Sequence, residues 1–247
     1  MVPGMGRAAE YRAELRALPP ELWDGFLAER SGLPGPRGNV ELAAAVAEEA
    51  TLDVASRYAA SDDEYQALCG AFAYGRLLAE GHEPAATSLY ILAQDERWRV
   101  REGVAMGLQR LGDVAPERLV RIVRDWARDG HPLVHRAAAA AICEPRLLRH
   151  PATAHAALDV LDAVTAGLAA LESEDRRDDG VKALRKALGY CWSVAVAAAP
   201  EPGFARLERW AGEADRDVRW IVRENLRKTR LHKADPARAA ALQSLNP

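Results

Sequence analysis

Five arginines, Arg216, Arg219, Arg223, Arg227 and Arg230, stand 3, 4, 4 and 3 residues apart. On a helix this spacing places them within about 80° of one another. Five guanidinium groups in one stripe repel unless carboxylates or phosphates lie opposite. Asp217 and Glu224 offset them only in part. Trp220 falls on the arginine side. Val218, Ile221, Val222, Asn225, Leu226 and Thr229 fall on the other side, which is expected to be buried. A cationic stripe bearing an aromatic is the pattern a phosphate backbone selects. The alternative is internal: neighbouring helices supply the carboxylates, and Trp220 packs on an arginine stem.

Other chemistry is thinly represented. His131 and His135 have the spacing of two metal-binding imidazoles on one helix face. Pro132 opens the helix between them, however, so His131 is expected to precede it and no metal site is expected. The glycine-rich stretch Gly32–Gly38 lacks the Gly-Lys-Ser/Thr of a P-loop. There is no Gly-x-Ser-x-Gly elbow among only seven serines, which excludes the usual serine-hydrolase pattern. No cofactor motif stands out. The acidic cluster Glu172–Asp179, interrupted by Arg176 and Arg177, reads as a solvated loop.

The elements that must position these residues follow from composition. The chain has 247 residues, 49% hydrophobic and 28% charged, which allows one or two domains with a sizeable core and excludes wholesale disorder. Cys69, Cys143 and Cys191 are isolated among small or apolar neighbours and are expected to be buried free thiols. No apolar run approaches the ~20 residues that span a bilayer. Residues 1–20 lack the apolar core of a signal peptide, so a cytoplasmic location is expected. Charge is uneven. Residues 1–94 carry 7 basic and 14 acidic side chains, and residues 95–247 carry 26 and 22. Between Arg176 and Lys233 there are 14 basic and 8 acidic residues. An acidic front and a basic back point to a polyanionic partner at one end, or to ordinary surface solubility.

Aromatic residues make up 6%, β-branched residues are sparse, and Ala, Leu, Arg and Glu dominate, which is helix chemistry. Asn39 is expected to cap a helix from Val40 to about Ala59, and Ser61 to form a capping box with Glu64. Asp235 precedes Pro236 as a cap, and Pro84, Pro116, Pro151 and Pro202 mark other helix starts. Residues 95–128 read as a hairpin: a helix at 98–110, a turn at Gly112-Asp113, and a helix at 116–128. Residues 129–171, 178–212 and 215–245 repeat this form. Each first helix carries an apolar residue followed closely by arginine, at Arg101, Arg136, Arg185 and Arg223. These are 35, 49 and 38 residues apart. Such periods mean stacked helix pairs, because one hairpin cannot bury its own apolar face. Val100, Val104, Gly107, Leu108 and Leu111 share the stripe that must be buried. The flanking arginines suit ion pairs within and between repeats.

Asp95-Glu-Arg-Trp-Arg-Val-Arg-Glu, His131-Pro-Leu-Val-His-Arg-Ala-Ala and Asp215-Arg-Asp-Val-Arg-Trp-Ile-Val-Arg-Glu make the chain resemble HEAT-like α-solenoids over roughly residues 61–245. Within that class it is most similar to the DNA alkylation repeat family, some members of which excise alkylated purines from DNA. The resemblance implies a concave basic surface with a Trp and an Asp near the lesion. Trp126 and Asp129 would fill those roles, the carboxylate stabilising the cationic sugar as the base departs. In the structural alternative Asp129 caps the following helix and Trp126 fills the core between repeats.

The expected fold is therefore all-α: a right-handed α-solenoid of about five HEAT-like hairpins. Residues 1–60 would form an N-terminal helical cap with a Gly/Pro linker at 31–39, and residues 61–247 the repeat domain. The leading expectation is non-catalytic binding of a nucleic acid or acidic protein segment through Arg216, Arg219, Trp220, Arg223, Arg227 and Arg230. A DNA glycosylase using Asp129 beside Trp126 is the enzyme alternative. A protein–protein scaffold with the acidic front as its contact surface is the third.

Overall fold

The computed structural model describes residues 6–245; residues 1–5 and 246–247, at the ends of the two expected domains, lie outside them. Among the described residues there are fifteen α-helices, three short 3-10 turns and no strand. Helices that follow one another in sequence pack on one another. They gather into two compact units, one ending at Val114 and one beginning at Ala115.

The first unit holds α1 (Arg7–Ala17), α2 (Trp23–Arg30), α3 (Val40–Glu49), α4 (Leu52–Ala59), α5 (Glu64–Ala79), α6 (Pro84–Leu92) and α7 (Trp98–Val114). Alternate helices adjoin: α1 packs on α3, α3 on α5 and α5 on α7, while α4 and α6 also rest on α5. The α5–α7 contact is the closest because glycines face each other across it. A Cβ built on Gly75 would lie 2.1 Å from the Gly107 Cα, and one on Gly103 would lie 2.5 Å from the Leu68 carbonyl oxygen. The stripe of Val100, Val104, Gly107, Leu108 and Leu111 is buried, as its spacing predicts.

Three local expectations in this unit are corrected. The helix from Val40 does not continue to Ala59. It stops at Ala50, which is extended, and Thr51 caps a new helix by accepting from Val54 N. The cause is the buried Arg76, which donates to the Ala47 carbonyl at 2.7 Å and to the Ala50 carbonyl, and so satisfies the end of α3. Asn39 caps α3 as expected, accepting from Leu42 N. Ser61 does not cap α5. Asp63 does, accepting from Gln66 N at 2.8 Å, while Ser61 Oγ accepts from Asp63 N. Glu64 cannot close a capping box because Arg99 of α7 holds its carboxylate at 2.7 Å. Finally, Gly112 is no turn: α7 runs through it to Val114 and ends where Pro116 forces Ala115 out of helical geometry.

The second unit holds α8 (Pro116–Trp126), α9 (Pro132–Ile142), α10 (Pro151–Ala169), α11 (Asp179–Ala198), α12 (Pro200–Ala211), α13 (Arg216–Leu226), α14 (Thr229–Ala234) and α15 (Pro236–Leu245). Here α11 lies between α9 and α13, and α10 packs on α8, α9, α11 and α12. The expected helix start at Pro202 moves to Pro200, which leaves Pro202 still within the first turn, where its missing N–H costs nothing. Asp235 accepts from Arg238 N at the start of α15, as expected.

Arginine–carboxylate pairs run along the second helices of the hairpins. Arg124 of α8 reaches Asp159 of α10 at 3.1 Å, and Arg206 of α12 reaches both Asp159 and Asp162 at 2.8 and 2.9 Å. Arg209 and the Trp210 indole N–H converge on the same Asp162 at 2.6 and 2.7 Å. Arg238 of α15 reaches Glu208 of α12 at 2.8 Å. Each of these helices is thus tied to the next one along, through arginines outside the acid–arginine pattern; of the pattern's own arginines, Arg185 of α11 pairs with Asp217 of α13 at 2.8 Å. Arg101 donates to the Asp95 and Glu96 carbonyls just ahead of its own helix. Cys69, Cys143 and Cys191 are free and buried, as expected.

Candidate polyanion interface

The basic stretch is positioned by one cluster of charges at the start of α13. Asp215 caps that helix, its Oδ1 accepting from the N–H groups of Asp217 and Val218 at 2.9 and 3.0 Å. Arg176 enters between the two acids, 2.8 Å from Asp215 and 2.9 Å from Asp217. Its guanidinium also donates to the Ala169 and Leu171 carbonyls, satisfying the end of α10. Burial pushes the Asp215 carboxyl up, but the Val218 N–H and Arg176 outweigh it and leave it below the ordinary carboxylate range. Arg185 of α11 adds a further ion pair to Asp217 at 2.8 Å. Asp217, one of the two acids that would offset the stripe, is therefore turned inward to Arg176 and Arg185, with Arg216 of the stripe farther off at 4.0 Å. The loop expected to be solvated exposes Glu172, Glu174, Asp175, Asp178 and Asp179 but hides Arg176, whose side chain is only 9% exposed.

The structure places Arg216, Arg219 and Arg223 on α13, all exposed. It does not place all five arginines on one helix. The helix ends at Leu226, Arg227 becomes its C-cap, and a new short helix begins at Thr229 carrying Arg230. Thr229, expected on the buried side, is exposed. Lys228 N donates to the Asn225 carbonyl as the chain turns. The predicted inner face is otherwise correct: Val218, Ile221, Val222, Asn225 and Leu226 are buried. Asn225 gives that burial a polar anchor, donating to the Leu188 carbonyl and accepting from Ser193 N at 2.9 and 2.7 Å.

Trp220 is not simply displayed with the arginines. It is half-buried, its ring edge set against Gly189 of α11, and the Arg185 guanidinium lies 3.8 Å from its centroid. The internal alternative is thus correct for Trp220, which packs on an arginine, but Arg185 rather than one of the stripe. Arg227 pairs with Glu224 at 2.9 Å and Arg230 donates to the Tyr190 hydroxyl at 2.9 Å. Arg219 has no partner among the described residues.

Sequence reasoning missed the other half of this face. Lys182, Lys186 and Tyr190 stand four apart on α11 and are all exposed. Lys182 pairs with the fully solvated Asp179, and Lys186 has no partner among the described residues. The spacing was legible; what was not is that the Gly189–Trp220 seam sets α11 beside α13.

Trp126 and Asp129 lie at the turn from α8 to α9. Trp126 is buried at the last position of α8. Asp129 Oδ1 accepts from His131 N at 2.7 Å, and its main chain binds the His135 ring. His131 rather than Asp129 caps α9, its Nδ1 accepting from Leu133 N. As expected, His131 precedes the helix. Among the described residues no group of three or more His, Cys, Asp or Glu is gathered for a metal, and no helix is long and apolar enough to cross a membrane.

His135 is largely buried, with Nε2 unbonded. Burial lowers its pKa, helped by His131 and opposed by the Asp129 main-chain bond and carboxylate. The neutral ring is the folded form. The unfolded chain therefore takes up its proton first, and stability falls as pH drops below about 6.5 toward the folded-state pKa. Thermal midpoints measured from pH 7.5 to 5 are expected to decline more in the wild type than in His135→Gln. Parallel declines would remove His135 from the pH response.

In the first unit a cleft of about 460 Å³ opens beside α3, α5 and α7, walled by Val40, Tyr65, Leu68, Trp98 and Met106. Val40 and Trp98 are about half exposed. Its rim mixes Arg37 and Arg99 with Glu41 and Glu102, so it has no single sign of charge. Comparison of the sequence with protein-family models and with curated proteins gives no match.

Proposed function

We propose that this chain is a non-catalytic HEAT-like repeat protein whose second unit binds a polyanion, a nucleic acid or an acidic protein segment, across α11 and α13. The repeat reading draws on the second unit, where α9/α10 and α11/α12 are successive hairpins whose first helices adjoin. The observation that carries the binding reading is the separation of charge. Arg216, Arg219, Arg223, Arg227, Lys182 and Lys186 face solvent, while Asp215 and Asp217 are spent on Arg176 and Arg185. Glu224 and Asp179 answer only Arg227 and Lys182 on this face, and an excess of exposed like charges favours phosphates or carboxylates supplied from outside.

The test is charge reversal. Arg219→Glu, Arg223→Glu and Arg227→Glu together are expected to weaken binding to heparin and to nucleic acid on the order of 100-fold at low salt. Far-UV circular dichroism should be unchanged, because all three side chains are exposed. A wild type that binds no polyanion at low salt, or a triple variant that binds as tightly, would contradict the assignment.

A further inference from the structure

We infer that the polyanion is a single-stranded nucleic acid, and that Tyr190 with Arg230 forms the platform on which a base stacks. This inference rests on the polyanion reading above. Among the described residues of the second unit, Tyr190 is the one exposed large hydrophobic side chain, at 46%. It stands on the cationic face, one helical turn beyond the unpaired Lys186. A surface that met only phosphates would need cations and no aromatic.

Tyr190 is also held in place. Its hydroxyl accepts from Arg230 Nη2 at 2.9 Å, and the Arg230 guanidinium lies 4.6 Å from the ring centroid. The short helix α14, which interrupts the arginine stripe, is what carries Arg230 to this position. A ring fixed before binding loses little side-chain freedom when a base lands on the face that Arg230 does not cover, and the guanidinium backs the ring from its own side. Trp220 is the poorer platform: it is half-buried, with its edge against Gly189 and Arg185 over one face, whereas Tyr190 is exposed.

The ligand class follows from what stacking needs. An intact duplex buries its base faces, and an acidic peptide offers carboxylates but no bases. A single strand presents phosphates for Lys186, Arg219 and Arg223 and a free π-face for Tyr190.

Fluorescence anisotropy with a labelled single-stranded oligonucleotide, its duplex and a polyglutamate peptide, at one salt concentration, tests this. The wild type should prefer the single strand. Tyr190→Ala should weaken single-strand binding about 5- to 100-fold and leave duplex binding within about twofold. Tyr190→Phe, which keeps the ring and loses the Arg230 bond, should retain most of the affinity. If Tyr190→Ala binds the single strand as well as the wild type does, the platform is wrong while the polyanion reading stands. A preference for polyglutamate or duplex overturns the ligand class in the same way. Failure to bind all three probes overturns the polyanion reading itself.

Discussion

Gly75→Ala is expected to destabilise the first unit by about 3 kcal/mol or more, although alanine is the better helix former. The added methyl would lie 2.1–2.2 Å from the backbone atoms of Gly107, where no side chain can rotate away. Either α5 or α7 must move, and both are gripped on other sides: α5 by α3, α4 and α6, and α7 by α6 and by the Arg110–Glu48 ion pair to α3. Moving them apart removes contact along the whole Val100–Leu111 stripe. Gly107→Ala should cost less, because its methyl meets Ala71 and Gly75 atoms at 3.0–3.3 Å. Gly25→Ala in α2, with nothing within 4 Å, should instead stabilise by up to about 1 kcal/mol. Thermal unfolding of the three variants checks the order. A Gly75→Ala midpoint at or above the wild-type value would mean that α5 and α7 are not in this register.

Asp217→Ala is expected to cost about 3 kcal/mol, in the range found when one partner of a buried ion pair is removed. Asp217 is 12% exposed and serves Arg176 and Arg185 at once. Without it Arg176 keeps Asp215 and two carbonyls, and Arg185 is left over the Trp220 ring with no acid. The ends of α10 and α11 lose a common anchor on α13. Asp217→Asn should cost less, since its carbonyl oxygen still accepts one guanidinium N–H. Asp179→Ala is the control, because its pair with Lys182 is solvated and such pairs contribute ~0–1 kcal/mol. Chemical denaturation separates these outcomes. An Asp217→Ala variant within about 0.5 kcal/mol of wild type would show that the cluster does not hold the hairpins together.

Much of this was legible in the sequence where a signal is local. Prolines at 84, 116 and 151 open helices, Asn39 and Asp235 cap them, and the apolar stripe of α7 is buried as spaced. Two of the misreadings arise where a distant residue decides. Arg76 ends α3 from 26 residues away, and Arg99 takes the Glu64 carboxylate that a capping box would have used. Thr51 and Asp63 were equally good caps by type and became the true ones for that reason.

The candidate face shows the same division. A spacing of three and four correctly separates Arg216, Arg219 and Arg223 from Val218, Ile221 and Val222. It cannot register the break after Leu226, which redirects Arg230 to Tyr190, nor the glycine at 189 that admits Trp220. Tyr190 had no reason to stand out until α11 and α13 were set side by side.

The polyanion assignment is tested most directly by the salt dependence of binding. Log affinity for a single-stranded oligonucleotide, plotted against log salt concentration, should be linear with a slope near −0.7 per phosphate contact. Removing Arg219, Arg223 and Arg227 together by charge reversal should flatten it by roughly two units, one share for each lost contact. A wild-type affinity that does not change with salt, or a triple variant with the wild-type slope, would show that this face is not where a polyanion binds.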